Sequence, residues 1–199
     1  RDSVPMPRKG GAPGDNAAGS TFMPKTKKPI TLLMITGTWP PMHCGVGDYT
    51  SRLCEHLSRR GVRVHVLTSK SARPDLRLGA SRLLEVHPDI VRWDASALAA
   101  IRRRIQATQP DVIDFQWPTA AYGRSLAVNL LPGYVRLHFP RIPLVTTLHE
   151  LRYFHTWTRM RSLPALLLSR RLIVVDPADL PVIRRLWPPA AAHCRSIPI

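Results

Sequence analysis

The residues best equipped for chemistry stand just after the short apolar runs of this sequence. After the first run comes Thr36-Gly-Thr-Trp-Pro-Pro-Met-His-Cys-Gly-Val-Gly-Asp-Tyr49, with Gly45 and Gly47 at the mouth of a helical segment. Two glycines let backbone approach a ligand closely, and the unpaired amides of a helix N-terminus attract an anion such as a phosphate. The same pair also suits a tight strand-to-helix turn that binds nothing. A dinucleotide fingerprint would need glycine where Thr50 stands and an acid near the end of the second run, where Leu67, Thr68 and Ser69 stand. Hydride chemistry is therefore disfavoured, and so is P-loop hydrolysis, because the sequence has no Walker A loop.

A later run ends in Thr146-Thr-Leu-His149-Glu150. A histidine leaving a strand can hydrogen-bond a hydroxyl or phosphate and titrates near neutral pH, or it can simply satisfy loop carbonyls. Gln116 and Trp117 close another run. An amide beside an aromatic ring is chemistry that holds a sugar, although Trp117 could equally pack under the following loop. His43, Cys44, Cys54 and His56 are close in sequence, but Cys54 and His56 are two apart on a helix and face different ways. No metal is expected there. No G-x-S-x-G elbow appears and no cysteine has an evident base, so a hydrolytic nucleophile is unsupported.

These residues need a frame, and the patterning supplies one. Ile30 to Thr36, Val62 to Thr68, Leu83 to Trp93, Asp111 to Gln116, Pro143 to Leu148 and Leu172 to Val175 read as six strands. Helical spacing falls between them: Val46 to Leu57 with Gly61 as its cap, Ala95 to Ala107, residues 121–138 with a break at Leu131-Pro132-Gly133, residues 157–171, and Ala178 to Trp187. Such alternation predicts an α/β fold, a Rossmann-like doubly wound parallel sheet whose ligands lie beyond the carboxyl ends of the strands.

Composition bounds the rest. The 199 residues carry 29 Lys+Arg against 13 Asp+Glu, a net charge of +16, with 20 Pro and 3 Cys. Residues 1–28, rich in Pro, Gly and basic residues, read as a disordered basic tail holding +4 of that charge; residues 29–199 form the folded domain. Three cysteines make no disulfide framework, which points to a reducing, cytoplasmic setting. The surplus charge could meet an anionic membrane surface through Arg102 to Arg104 and the stretch Trp157 to Arg171. A basic nucleic-acid-binding module is disfavoured, for no helix-turn-helix, RRM or zinc-finger signature accompanies the charge.

Trp39-Pro-Pro-Met-His-Cys-Gly-Val-Gly-Asp-Tyr-Thr-Ser-Arg-Leu53 and Arg59-Arg-Gly-Val-Arg-Val-His-Val-Leu-Thr68 resemble the start of family 4 glycosyltransferases, with its "PP...GGVG" loop and "L...GH.V.V.T". Pro110-Asp-Val-Ile-Asp-Phe-Gln-Trp117 and Pro143-Leu-Val-Thr-Thr-Leu-His-Glu150 are similar to later strands of the same family. The first glycine of the family's loop is Cys44 here. The resemblance implies a glycosyltransferase of the GT-B fold, with this chain as its N-terminal, acceptor-side half and the C-terminal donor domain absent from the chain. It further implies retention of anomeric configuration, Gly45 and Gly47 against the donor phosphates, and His149 near the transferred sugar; Gln116, Trp117 and Glu150 are expected to contact the acceptor. The expected partners are a nucleotide sugar, as substrate rather than cofactor, and a sugar or lipid-linked acceptor, with a peripheral inner-membrane contact. On its own such a half should not turn over; a noncatalytic single-domain partner is the alternative.

Overall fold

The computed structural model describes residues 28–72, 82–118, 120–123, 125–149, 151–153 and 155–197. The tail expected over residues 1–28 lies, apart from Lys28, outside the described residues, and so does Glu150.

Seven parallel strands form one sheet: β1 (Thr31–Ile35), β2 (Arg63–Ser69), β3 (Leu84–Ile90), β4 (Val112–Trp117), β5 (Leu144–Leu148), β6 (Arg171–Val174) and β7 (Cys194–Ser196), in the order β3-β2-β1-β4-β5-β6-β7. The order reverses at β1. The chain leaves β1 toward β2 on one side, and β4 toward β5 on the other, which opens a crevice at their carboxyl ends.

Both faces of the sheet follow from side-chain alternation. Leu33, Ile35, Ile113, Phe115, Leu144, Leu148, Leu172 and Val174 point to one core. It is closed by α2 (Ala95–Thr108), α3 (Leu126–Asn129), α4 (Leu131–His138), α6 (Leu163–Leu168), α7 (Leu180–Leu186) and α8 (Pro188–Ala191). Leu32, Met34, Val64 and Val66 point the other way, against Leu53, Cys54 and Leu57 of α1 (Gly45–Arg59). Burying side chains of this size contributes roughly 1.5–3 kcal/mol each, so the two cores dominate the fold's stability.

Six strands were legible as apolar runs, whereas β7 is three residues long and too short to show a pattern. Pro88 lies inside β3, which an edge strand tolerates because one row of its amides pairs with nothing. The helical stretch 121–138 breaks at Leu130 rather than at Leu131-Pro132-Gly133, and residues 157–171 split at Ser162 into α5 (Thr156–Arg161) and α6. In each case the proline, Pro132 or Pro164, sits in the first turn of the next helix, where a missing amide hydrogen costs nothing.

Gly61 follows α1 with φ +86° and donates its amide to the Ser58 carbonyl. Any side chain is strained at that φ. Gly61→Ala is expected to destabilise the domain by about 1 kcal/mol, read as a shifted urea midpoint with an unchanged slope.

Candidate active site

On the α1 side of the sheet the apolar pattern gives way to a polar column at the ends of β4 and β5. Asp114, Gln116, Thr147 and His149 are all buried. Thr147 Oγ1 donates to Asp114 Oδ1 at 3.0 Å. His149 Nε2 lies 2.8 Å from Gln116 Oε1, and Gln116 Nε2 donates to Met34 Sδ at 3.2 Å. The amide oxygen of Gln116 can only accept, so His149 carries its proton on Nε2 and keeps Nδ1 as a lone-pair acceptor. The His149 amide donates to the Trp117 carbonyl at 2.9 Å, which extends the β4–β5 pairing one residue beyond β5. Tyr49, on α1, sets its ring edge-on to the imidazole with centroids 5.2 Å apart.

Burial sets the protonation of this column. It pushes the His149 imidazole down to about 4, so the ring is neutral throughout the physiological range. The expectation was a histidine titrating near neutrality; taking the ring out of water is what moves it down. Burial raises Asp114 to about 7, against the opposing hydrogen bonds from Thr147 and Gln116. Tyr49 rises to about 12 through burial and then the neighbouring Asp114.

The glycine loop divides into two roles. A Cβ on Gly47 would stand 3.3 Å from the Thr38 carbonyl carbon, Thr38 Oγ1 and the Trp39 amide nitrogen. Gly47 therefore lets the first turn of α1 pack on the loop that leaves β1. A Cβ on Gly45 would meet nothing within 4 Å, so the open approach to the α1 N-terminus is at Gly45. The loop itself is pinned: Trp93 Nε1 donates to Ser69 Oγ at 2.7 Å, and Ser69 Oγ donates to the Gly37 carbonyl. Among the described residues, the hydroxyls of Thr38 and Thr68 are buried without a hydrogen-bond partner at these same strand ends.

Trp117 goes to the other face. It is 2% exposed, lies parallel to the Tyr122 ring and donates its indole N–H to Ser162 Oγ at 2.9 Å. Of the two placements open from sequence this is the packed one, and the ring presents no face to an acceptor. Gln116 is fully buried as well and reaches a ligand only through His149. Glu150 lies outside the described residues. Cys54 is buried while His56 is exposed, so the two face apart as their spacing implied. Sequence reading missed Asp114, Thr147 and Tyr49; an aspartate between Ile113 and Phe115 in an otherwise apolar run was the signal available.

A family model for Glycosyltransferase Family 4 matches residues 44–198, most of the chain, from the α1 cap onward, and the chain belongs to that family. Among curated proteins, none matches the sequence. Solved structures share its fold. The Bordetella bronchiseptica enzyme WbmG, in complex with NAD and UDP, is 14% identical with a TM-score of 0.52, over 76% of this chain and 54% of that one. An α-glucosyltransferase in complex with UDP and a 13-mer DNA containing a HMU base is 12% identical with a TM-score of 0.55, over 85% and 42%. An α-glucosyltransferase with UDP-glucose and DNA containing an abasic site is 12% identical, TM-score 0.50, over 84% and 41%. This chain thus spans about half or less of each neighbour's length. Family and sheet together define a glycosyltransferase domain with a Rossmann-like α/β fold, as the resemblance implied.

Two stability outcomes test this geometry. Asp114 holds a proton between pH 3.8 and about 7 that the unfolded chain has lost, so its burial costs stability as pH rises through that window. His149 acts oppositely, refusing between pH 6.5 and about 4 a proton that the unfolded chain takes up. Asp114→Asn removes the first effect: its stability relative to the parent should rise by about 2–3 kcal/mol between pH 5 and pH 8 in urea melts. For the loop, Gly47→Val should cost roughly 1–3 kcal/mol by overpacking against Thr38, whereas Gly45→Val should leave the melting midpoint nearly unchanged.

Proposed function

We propose that this chain is the N-terminal, acceptor-side half of a retaining GT-B glycosyltransferase and closes over a nucleotide-sugar donor held by a second domain. The observation that carries the reading is the His149–Gln116 hydrogen bond at the crevice, in a chain of this family. Gln116 holds the proton on His149 Nε2 and turns Nδ1 into a fixed acceptor for a sugar hydroxyl. Because the ring stays neutral, it orients the sugar and does not protonate the leaving group. The departing diphosphate gathers charge, which the amides at the α1 N-terminus meet across the open side of Gly45. UDP and UDP-glucose in the structural neighbours favour a uridine-linked donor.

The acceptor is a sugar or lipid-linked sugar near a membrane surface. Trp157 is 72% exposed and Tyr153 68%, on and just before α5, near Arg152, which is ion-paired to Asp176, and Arg159, which donates to the Arg152 carbonyl. Arginines among exposed aromatics suit an anionic headgroup layer. Arg102 and Arg103 are exposed and could add to it, while Arg104 is taken by Asp89. No helix among the described residues is long and apolar enough to cross a membrane. A second reading, a nucleic-acid acceptor, is favoured by the DNA in two neighbours' complexes and by the +16 charge. Salt-sensitive retention on DNA with no binding to anionic vesicles selects that reading; the reverse selects the membrane.

The decisive experiment assays the protein encoded by the complete gene against a panel of nucleotide sugars and acceptors, following the anomeric configuration of the product. Transfer with retention is expected, and His149→Ala should lower kcat/KM by about 100-fold or more while the protein stays folded. Equal transfer by the variant contradicts the role given to His149.

A further inference from the structure

Away from the crevice, His65 of β2 and Glu85 and His87 of β3 bring three donor atoms together. His65 Nδ1 and His87 Nε2 are 3.2 Å apart, His65 Nδ1 and Glu85 Oε2 3.4 Å, and His87 Nε2 and Glu85 Oε2 3.7 Å. We propose that these three residues bind a divalent ion of the zinc class, which clips the edge strand β3 to β2.

The spacing fits that ion. A tetrahedral site with bonds of about 2.0–2.1 Å sets its donor atoms roughly 3.3–3.4 Å apart, the middle of the three separations here. The sheet register produces the convergence. His65 lies opposite Glu85, and Leu67 lies opposite His87, so all three side chains share the face that also carries Leu67. Two imidazoles and one carboxylate suit zinc, cobalt and nickel better than magnesium or calcium, which prefer oxygen alone. The site is formed and has an entrance: the side chains of His65 and His87 are 11% and 16% exposed, while Glu85 is 57% exposed. Solvent completes the coordination from the Glu85 side.

Among the described residues, Arg104 of α2 acts on both imidazoles and Arg63 on His65, while Arg104 is ion-paired to Asp89. These positive charges limit affinity to the micromolar range and weigh against a buried nanomolar site. The position also defines the role. Among the described residues β3 has a strand neighbour on one side only, and the crossover that joins it to β2 includes residues 73–81, outside the described residues. His65 and Glu85 lie near the amino ends of β2 and β3, away from the His149 crevice, so an ion shared by the two strands is structural rather than catalytic. The sequence offers no local motif for it, since the donors come from two strands and meet only through pairing.

The test uses the full 199-residue chain without a polyhistidine tag, stripped with a chelator and titrated with zinc(II) and, separately, cobalt(II). Expected are one zinc per chain with a dissociation constant in the micromolar range, the intense visible absorption of tetrahedral cobalt(II), and a melting point raised by several degrees in saturating zinc. His87→Gln should weaken binding about 100-fold. Glu85→Gln, at a half-exposed carboxylate whose loss leaves the fold intact, should weaken it about 10-fold. His43→Gln, at an exposed histidine elsewhere, should leave binding unchanged. If the three side chains form only a hydrogen-bonded chain, the folded protein takes up no zinc. That result overturns the proposal, and so does one-to-one binding that survives both Glu85→Gln and His87→Gln.

Discussion

The site depends on a constraint that costs the protein stability: a column of polar side chains kept out of water at the carboxyl ends of β4 and β5. Asp114, Gln116, Thr147 and His149 occupy positions that the strand pattern elsewhere gives to apolar residues. Each is satisfied by a neighbour in the column or by Met34, and that mutual satisfaction makes the burial tolerable. What the arrangement yields is fixed protonation. A neutral imidazole with its proton held toward Gln116 and an aspartic acid that ionises only near neutrality present little charge to an anionic ligand.

The remainder of the fold serves to hold that column at the crevice. The reversal of strand order at β1 parts the loops that follow β1 and β4. Gly47 draws α1 tightly onto the loop after β1, which brings Tyr49 against His149 and leaves Gly45 open to solvent. After β5, Asp179 accepts the amides of Leu151 at 3.1 Å and Arg152 at 2.8 Å, which holds these two residues in place. Rigid strands with pinned loops are the setting in which a sugar can be held in one orientation.

Much of the frame was legible because it rests on local patterns. Apolar runs gave β1 to β6, and the glycine after Leu57 and Ser58 gave the end of α1. The breaks inside the later helices were misplaced because a proline punctuates a helix differently at its first turn than in its middle. The site was half legible. His149 and the glycine loop are signalled by their place after strands, but the opposite fates of Gln116 and Trp117 depend on which face of β4 each occupies against β5 and α1. The separate roles of Gly45 and Gly47 depend on the distance to Thr38, and the meeting of His65 with Glu85 and His87 depends on strand register. None of these is a property of spacing along the chain.

Burial and Gln116 together fix His149 as a neutral acceptor. Long-range proton–nitrogen correlation spectra of histidine-labelled protein, recorded from pH 5 to pH 8, read it most directly. Expected are ¹⁵N shifts of the neutral form with the proton on Nε2, unchanged across that range. A titration centred near the ordinary histidine value, or a proton on Nδ1, would contradict it.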